Sequence, residues 1–222
     1  MAIPPHKRRL RALITAGPTA EDIDPVRYIT NRSTGRMGFA VAEAVSRAGG
    51  EPRLIVGPTP LEPPMGIDAT RVRSAADMCR TVVDNLEWCD CLVMTAAVAD
   101  YTPAEPLDSK LKKKDGDLFL RLKRTSDILA TIRDLPQRLG KFVVGFSLDV
   151  GVNLDEGGRK LREKNLDLIV VNTVESFGSN RATAWLLSPD GAENCGGIGK
   201  EELSERIVSR ILCSLGDNFR ND

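Results

Sequence analysis

LRALITAG at residues 10–17, GFAVAEAVSRAGG at residues 38–50 and PRLIVG at residues 52–57 decide the fold class of this chain. The first and third segments are apolar runs of strand length, whereas the second repeats its apolar residues at helical spacing and ends in glycines. A strand, a helix and a second strand in this order are typical of a parallel sheet covered by helices. The sequence therefore predicts an α/β fold.

The rest of the chain continues the alternation. Further strands are predicted at residues 70–73, 89–97, 118–124, 142–148, 167–172 and 183–188, and helices at residues 75–86, 127–135, 154–164 and 200–215. CDCLVMTAA, residues 89–97, is the most apolar run and is expected at the centre, because strands buried on both faces lose polar alternation. Residues 18–37 are predicted to be irregular, and residues 98–117 a long loop. The complete pattern predicts a doubly wound, mostly parallel Rossmann-like sheet with helices on both faces.

Charge and hydropathy exclude several classes of protein. Lys plus Arg and Asp plus Glu each total 31, so no global basic field attracts nucleic acid or anionic lipid. No apolar run approaches the ~20 residues that a membrane span requires, and the N-terminus lacks a signal-peptide pattern. We expect a cytoplasmic protein without nucleic-acid or membrane partners, with one domain at residues 9–216 between a mobile tail at 1–8 and a tail at 217–222.

Cysteine and histidine usage argues against metal and imidazole chemistry. The five cysteines show no C-x-x-C spacing, and the sole histidine, His6, follows two prolines near the N-terminus. Zinc sites, disulfide frameworks and Ser-His-Asp or Cys-His catalysis are therefore not expected, and no residue is predicted to ligate a metal.

The densest motif is ITAGPTAEDIDPVRYITNRSTGRMG, residues 14–38. A strand ends at Gly17, and short polar residues and glycines then lead into the next helix. Backbone N–H groups at a helix start bind phosphate, and glycine lets the backbone approach it closely. We predict an anion site here. The alternative is that Asn31, Ser33 and Thr34 only cap the helix.

A second motif, AAVADYTPAEPLDSKLKKK at residues 96–114, follows the central strand. Its alanines permit close approach of a ligand, Asp100 offers a carboxylate, and a run of lysines can act as a mobile cationic flap that neutralises phosphate charge. The lysines of this lysine flap (residues 110–114) are Lys110, Lys112, Lys113 and Lys114. The alternative is a solvated lysine run.

A third motif is the helix segment GRKLREKN, in which Lys160 and Lys164 are four residues apart and share a face. With Arg159 or Arg162 they can hold a polyphosphate. The alternative is an ordinary charged helix face.

The common nucleotide motifs are missing. No G-x-x-x-x-G-K-[ST] occurs, G-x-G-x-x-G is incomplete, and Pro58 and Thr59 follow the second strand where an acidic ribose ligand is expected. Tyr28 and Tyr101 lack a lysine four positions later. P-loop and nicotinamide-dependent enzymes are disfavoured.

In combination, ITAGPT…DPVRYITNRSTGRMG, AAVADYTP…SKLKKK, SDIL, VVGFS and KLREKNLDLIVVN resemble the phosphopantothenate–cysteine ligase family (phosphopantothenoylcysteine synthetase) of coenzyme A biosynthesis, over about residues 13–187. The resemblance implies that Mg²⁺ with CTP, or ATP, activates the carboxylate of 4'-phosphopantothenate, and that L-cysteine then forms the amide. It implies no flavin, a homodimer, and a phosphopantothenoylcysteine decarboxylase as a separate or fused partner.

The resemblance also assigns roles to residues. It implies catalytic roles for Asn31 and Lys110. The implied nucleotide site consists of Gly17, Ser33, Gly35, Gly38, Met94, Thr95, Ala96, Asp100, Lys110, Ser126, Asp127, Ile128, Leu129, Phe146, Lys160, Lys164 and Asn172. The implied substrate site consists of Asn31, Ala97, Ala99 and Asp100.

The chain departs from the family pattern at two places. Thr125-Ser126 replaces Asn-Pro, and SLDV at residues 147–150 replaces Ala-Ala-Glu-Thr. Both border the implied base and ribose pocket, so they bear on nucleotide preference. Two alternatives stay open: a non-catalytic nucleotide-binding module, and a nucleotide-dependent enzyme of another class on the same fold.

Overall fold

The computed structural model describes residues 8–113, 115–173, 181–216 and 219. His6 and Lys114 lie outside the described residues. None of the helices within these ranges combines the length and the apolar character needed to span a bilayer.

The described residues form twelve strands and five α-helices. The strands are β1 (Arg11–Ala16), β2 (Ala20–Asp22), β3 (Tyr28–Thr30), β4 (Glu51–Val56), β5 (Asp68–Arg71), β6 (Cys91–Met94), β7 (Tyr101–Pro103), β8 (Leu122–Arg124), β9 (Phe142–Asp149), β10 (Leu168–Thr173), β11 (Arg181–Ser188) and β12 (Gly191–Gly199). The helices are α1 (Arg36–Arg47), α2 (Ala75–Asn85), α3 (Ile128–Arg133), α4 (Leu154–Glu163) and α5 (Lys200–Leu215), with one turn of 3₁₀ helix at Pro136–Arg138.

Eight strands form the central sheet, in the order β12-β11-β10-β9-β6-β1-β4-β5. The six strands from β10 to β5 are parallel, whereas β11 and β12 are antiparallel to their neighbours. The predicted mostly parallel sheet and the central place of the 89–97 segment are confirmed. The carboxyl ends of β1, β6, β9 and β10 consequently lie side by side at one edge, where ligands of such sheets bind.

Helices cover both faces of the sheet, as predicted. Alternation along β1 sends Ile14 to one face and Leu13 to the other. Ile14 packs in a buried cluster with residues of α1 and α5, including Val41 and Ile207. Leu13 belongs to a second buried cluster that contains residues of α2, α3 and α4. Two cores on opposite faces of one sheet define the doubly wound architecture.

Three parts of the predicted element pattern are wrong. Residues 20–30 are not irregular, because β2 and β3 pair as an antiparallel hairpin. The loop at 98–117 contains β7, which pairs with β8, so only the last three residues of the strand predicted at 118–124 are strand, and they lie outside the main sheet. Phe119 and Leu122 are exposed, so this apolar run forms no core, and pairing with β7 alone determines the length of β8.

The strand β12 has no counterpart in the sequence prediction. Its sequence GAENCGGIG is rich in glycine and polar residues, which are depleted in strands. It forms because β11 presents a free antiparallel edge, with which Gly191–Gly199 pairs. Smaller differences affect the ends of elements: α1 begins at Arg36 rather than residue 38, and β6 spans only Cys91–Met94.

Candidate active site

The loops that follow β1, β4 and β6 are joined by backbone hydrogen bonds at the carboxyl edge of the sheet. Ala97 N donates to Gly17 O at 2.9 Å, and Gly57 N donates to Ala16 O at 2.9 Å. Thr19 N donates in turn to Ala97 O at 3.2 Å. The turn after β1 (residues 17–19) and the small-residue segment after β6 (residues 96–99) are about 80 residues apart in the chain. These bonds join them into one continuous surface, which we call the floor of the site.

The start of α1 lies on this floor and has no side-chain cap among the described residues. Gly35 precedes the helix with a φ of 79°, a conformation that favours glycine. A Cβ at Gly35 would lie 3.1 Å from Gly17 N, and a Cβ at Gly38 would lie 2.6 Å from the Ala16 Cβ. Both glycines thus allow the helix start to approach the carboxyl end of β1 closely, and the first N–H groups of a helix have no partner within the helix itself.

The side chain of Asn31 bonds to the segment after β6 instead of capping α1. Its Nδ2 donates to Ala97 O at 3.0 Å, while Ser33 Oγ accepts only a long hydrogen bond of 3.4 Å from Gly35 N. The Thr34 carbonyl accepts from Thr59 Oγ1 at 2.9 Å. The alternative that these residues act mainly as helix caps is therefore wrong for Asn31.

Two buried threonines that sequence reasoning missed organise the segment after β6. Thr15 Oγ1 accepts from Ala96 N at 3.2 Å, and Thr95 Oγ1 donates to Thr15 O at 2.6 Å. Thr19 Oγ1 accepts from Ala99 N at 2.9 Å. A signal was present in ITAGPT, because hydroxyls in an apolar strand and its turn need partners when they are buried.

Thr125, where the chain departs from the family pattern, forms hydrogen bonds with the segment after β6. Thr125 Oγ1 donates to Ala99 O at 2.6 Å, and Thr125 N donates to Asp100 O at 3.0 Å. Thr125 stands where the family has asparagine, so the residue at this position has a backbone N–H in both sequences. Thr125 therefore connects Ala99 and Asp100, two residues of the implied substrate site, to the start of α3.

Asp127 caps α3 and pairs with Lys164. Its Oδ1 accepts from Ala130 N at 3.1 Å, and its Oδ2 lies 2.9 Å from Lys164 Nζ. Partial burial raises the pKa of Asp127, but the hydrogen bonds from Lys164 and the Ala130 amide outweigh this effect, so the pKa lies below its usual value. Neighbouring Ser126 is exposed, whereas Ile128 is buried in the core, so its side chain is not available to a ligand.

Lys160 contacts the second departure. Its Nζ donates to Ser147 Oγ at 3.0 Å and lies 3.6 Å from Glu156 Oε1. Ser147 is buried and follows Phe146, which is half-buried against the core near the end of β9. Lys160 thus contacts β9, and Lys164 contacts the residue that caps α3.

The remaining predicted residues occupy three settings. Met94 and Ala99 are buried, and Leu129 and Asn172 are half-buried. Asp100 and Lys110 are exposed, as are the flap residues Lys112 and Lys113.

The two buried cysteines next to and within β6 are poor nucleophiles. Burial raises the pKa of the Cys89 thiol to about 11 and that of the Cys91 thiol well above its usual value. In the part of the chain that the structure describes, no three acidic, histidine or cysteine side chains form a group that could hold a metal ion. The arrangement offers backbone N–H groups, an amide and lysines, which can orient phosphates and neutralise their charge.

The fold and this edge define a class: doubly wound α/β proteins that bind ligands at the carboxyl ends of parallel strands. The sequence profile of the DNA/pantothenate metabolism flavoprotein C-terminal domain matches residues 8–214. The chain belongs to this family.

Known relatives agree with this membership. The chain is 45% identical over 184 residues to the coenzyme A biosynthesis bifunctional protein CoaBC of Bacillus subtilis, with 81% of this chain and 45% of that protein covered. It spans about half the length of the relatives it matches. The crystal structure of the C-terminal domain of a CoaBC protein superposes with a TM-score of 0.79 at 35% identity, covering 93% of this chain and 95% of that one.

A more distant structure shares the fold alone. It is a variant of Cab2 in complex with phosphopantothenate–cysteine, with a TM-score of 0.77 at 16% identity, covering 94% of this chain and 87% of that one.

Proposed function

We propose that this chain ligates 4'-phosphopantothenate to L-cysteine in coenzyme A biosynthesis, through an acyl-nucleotide intermediate. The observation that carries the proposal is the hydrogen bond from Asn31 to Ala97 O. It joins the loop that leads from β3 into α1 to the segment after β6, so a phosphate and an acyl group can meet on one floor. Membership of the family supports the same reaction.

The reaction needs two displacements and no protein nucleophile. The carboxylate of 4'-phosphopantothenate attacks the α-phosphate of the nucleotide, and pyrophosphate leaves. The amine of cysteine then attacks the acyl carbonyl, loses a proton and displaces CMP, which leaves 4'-phosphopantothenoylcysteine. Positioning and charge neutralisation carry most of such a transfer, and the N–H groups of α1, the amide of Asn31 and the charge of Lys110 can supply both.

CTP with Mg²⁺ is the proposed co-substrate, and ATP is the second candidate. Mg²⁺ keeps several waters and binds mainly through phosphate oxygens in sites of this kind, so it would arrive with the nucleotide. Ser147 and Thr125, which depart from the family pattern, bond to Lys160 and to Ala99 O. Both side chains therefore make polar contacts with residues of the proposed nucleotide and substrate sites.

Partners and location follow the family resemblance. We propose a homodimer in the cytoplasm that cooperates with a phosphopantothenoylcysteine decarboxylase, fused or separate. No flavin is proposed for this chain.

The first test is pyrophosphate release from CTP. We expect release that requires 4'-phosphopantothenate and a coupled product that also requires cysteine, because activation precedes amide formation. ATP replaces CTP in a parallel series to rank the two nucleotides.

Binding measurements separate the alternatives. A ligand at 100 times its dissociation constant stabilises a protein by ~2.7 kcal/mol, so CTP with Mg²⁺ should raise the melting temperature, while NADH should not. Stabilisation by CTP without pyrophosphate release would identify a non-catalytic module. Stabilisation by NADH and by no nucleoside triphosphate would identify an enzyme of another class.

The lysines of α4 provide a second prediction. Changing Lys160 and Lys164 together to alanine should weaken CTP much more than CMP, because the lost charges face the β- and γ-phosphates. The measurement is the ratio of the two dissociation constants by calorimetry. Arg206→Ala is the control, since Arg206 lies on α5, pairs with Glu193 and Glu202, and is not among the predicted site residues. Equal weakening of CTP and CMP would contradict a contact of these lysines with the β- and γ-phosphates. Their role would then be limited to the contacts with Ser147 and Asp127.

A further inference from the structure

A buried carboxylate lies beside the lysine flap. Asp24 sits in the turn between β2 and β3 and its side chain is fully buried. Its Oδ1 accepts from Val26 N at 2.8 Å and Arg27 N at 2.9 Å, which are bonds within the turn. Its Oδ2 accepts from Arg27 Nε at 3.0 Å, from Arg27 Nη2, and from Leu111 N at 3.0 Å. One oxygen therefore holds the turn, and the other reaches the flap.

Both the backbone N–H and the backbone carbonyl of Leu111 form hydrogen bonds with the turn between β2 and β3. Its N–H donates to Asp24, and its carbonyl accepts from Arg27 Nη2 at 2.7 Å. A hydrogen bond between two backbone groups joins the same two segments, from Leu107 N to Ile23 O at 3.0 Å. The rest of the flap has no regular secondary structure among its described residues, and Lys110, Lys112 and Lys113 are exposed.

The charge of Asp24 is built into these contacts. Hydrogen bonds from the Arg27 guanidinium, and then the bond from the Leu111 amide, hold the pKa of Asp24 well below its usual range. The carboxylate thus stays ionised at neutral pH. Charge-assisted hydrogen bonds are about twice as strong as neutral ones, so this contact is suited to restrain a loop without secondary structure.

We propose that Asp24 is a positioning residue that, with Arg27, fixes the backbone of Leu111 and thereby holds Lys110 over the reacting phosphate. The inference rests on the proposed function, because it acts through Lys110. Leu111 directly follows Lys110, and Arg27 lies four residues before Asn31. The same turn therefore sets the position of both predicted catalytic residues relative to each other.

Asp24→Asn separates the two roles of the carboxylate. The remaining amide oxygen can still accept the bonds from Val26 and Arg27 amides, so the turn is kept. The new NH₂ group faces the donors of Arg27 and Leu111, so the bond from Leu111 N is lost and Arg27 loses its carboxylate partner. Asp22→Asn is the matched control, because Asp22 lies in the same hairpin and pairs with Arg73 at the surface.

The first measurement is independent of activity. Hydrogen exchange of peptides covering residues 104–117 should become faster in Asp24→Asn and stay unchanged in Asp22→Asn. Unchanged exchange in Asp24→Asn overturns the proposal. Because this readout requires no turnover, it stands even if the wild-type protein releases no pyrophosphate, which would overturn the proposed function alone.

The second measurement is a double-mutant cycle with Lys110→Gln. Misplacing a catalytic group by about 1 Å reduces rates by roughly a hundredfold, so Asp24→Asn should lower kcat by about ten- to a hundredfold with a smaller change in KM. In the Lys110→Gln background the same change should alter kcat by less than about twofold, because its target is already absent. Full additivity of the two substitutions would overturn the proposal, since a general structural defect acts regardless of Lys110.

Discussion

Asn31→Asp is expected to lower the rate of intermediate formation and turnover by about 10²- to 10³-fold, the effect of removing one donor from a preorganised anion site. The carboxylate cannot donate to Ala97 O, to which the Asn31 amide donates at 3.0 Å. It also adds a negative charge in the loop that leads into α1, beside the proposed phosphate site. Single-turnover analysis with labelled 4'-phosphopantothenate measures acyl-cytidylate and product separately.

A matched asparagine provides the control for Asn31→Asp. Asn153 caps α4, and its Oδ1 accepts from Glu156 N at 3.0 Å. Asp is as good a cap as Asn, so Asn153→Asp should leave both steps unchanged. Wild-type kinetics of Asn31→Asp would show that this amide does not act on the intermediate, and the role implied by the family resemblance would fail at this position.

The second large effect is expected on folding stability, at Gly57. A Cβ there would lie 1.8 Å from Pro18 O and 2.8 Å from Pro18 C. Both are backbone atoms, so no side chain can move to relieve the clash. Overpacking typically destabilises by about 1–3 kcal/mol, and occasionally by more; we expect Gly57→Ala at or above the upper end, measured by urea unfolding.

Gly158→Ala tests whether glycine loss is harmful in general. In α4 a Cβ at Gly158 would meet only Arg162 Nη1, at 3.4 Å, and alanine in a helix is favoured over glycine by about 0.5–1 kcal/mol. This variant should therefore be slightly stabilised. If Gly57→Ala unfolds at the wild-type urea concentration, then the loop after β1 can move away from β4 at little cost, and the floor of the site is not rigid.

The parallel core could be predicted from sequence because its signals are local. Runs such as LRALITAG and CDCLVMTAA carry their apolar pattern within one segment. The strand β12 lacks such a pattern, since its formation depends on the edge that β11 offers. β7 and β8 are similar, because three residues on each side form strand only through each other.

The site divides in the same manner. Motif spacing predicts an anion site at residues 31–38, and the structure places Gly35 and Gly38 at the start of α1 and Asn31 in the loop before it. Asp24 was missed because its partner Leu111 is 87 residues away and contributes only backbone atoms, which leave no trace in a sequence pattern. The hydroxyl contact of Ser147 with Lys160 was likewise unpredictable, as it depends on how α4 packs on β10, the neighbour of β9.

The floor of the crevice has one further property, which concerns ionic strength. Its loops are joined by bonds between uncharged groups, such as Ala97 N to Gly17 O and Thr125 Oγ1 to Ala99 O. Dissolved salt screens interactions between exposed charges but hardly affects such bonds. The shape of the crevice therefore depends little on salt concentration, whereas the charges of Lys160 and Lys164, which are proposed to bind the phosphates, are screened by salt. Salt would change how tightly a nucleotide is held without changing where it sits.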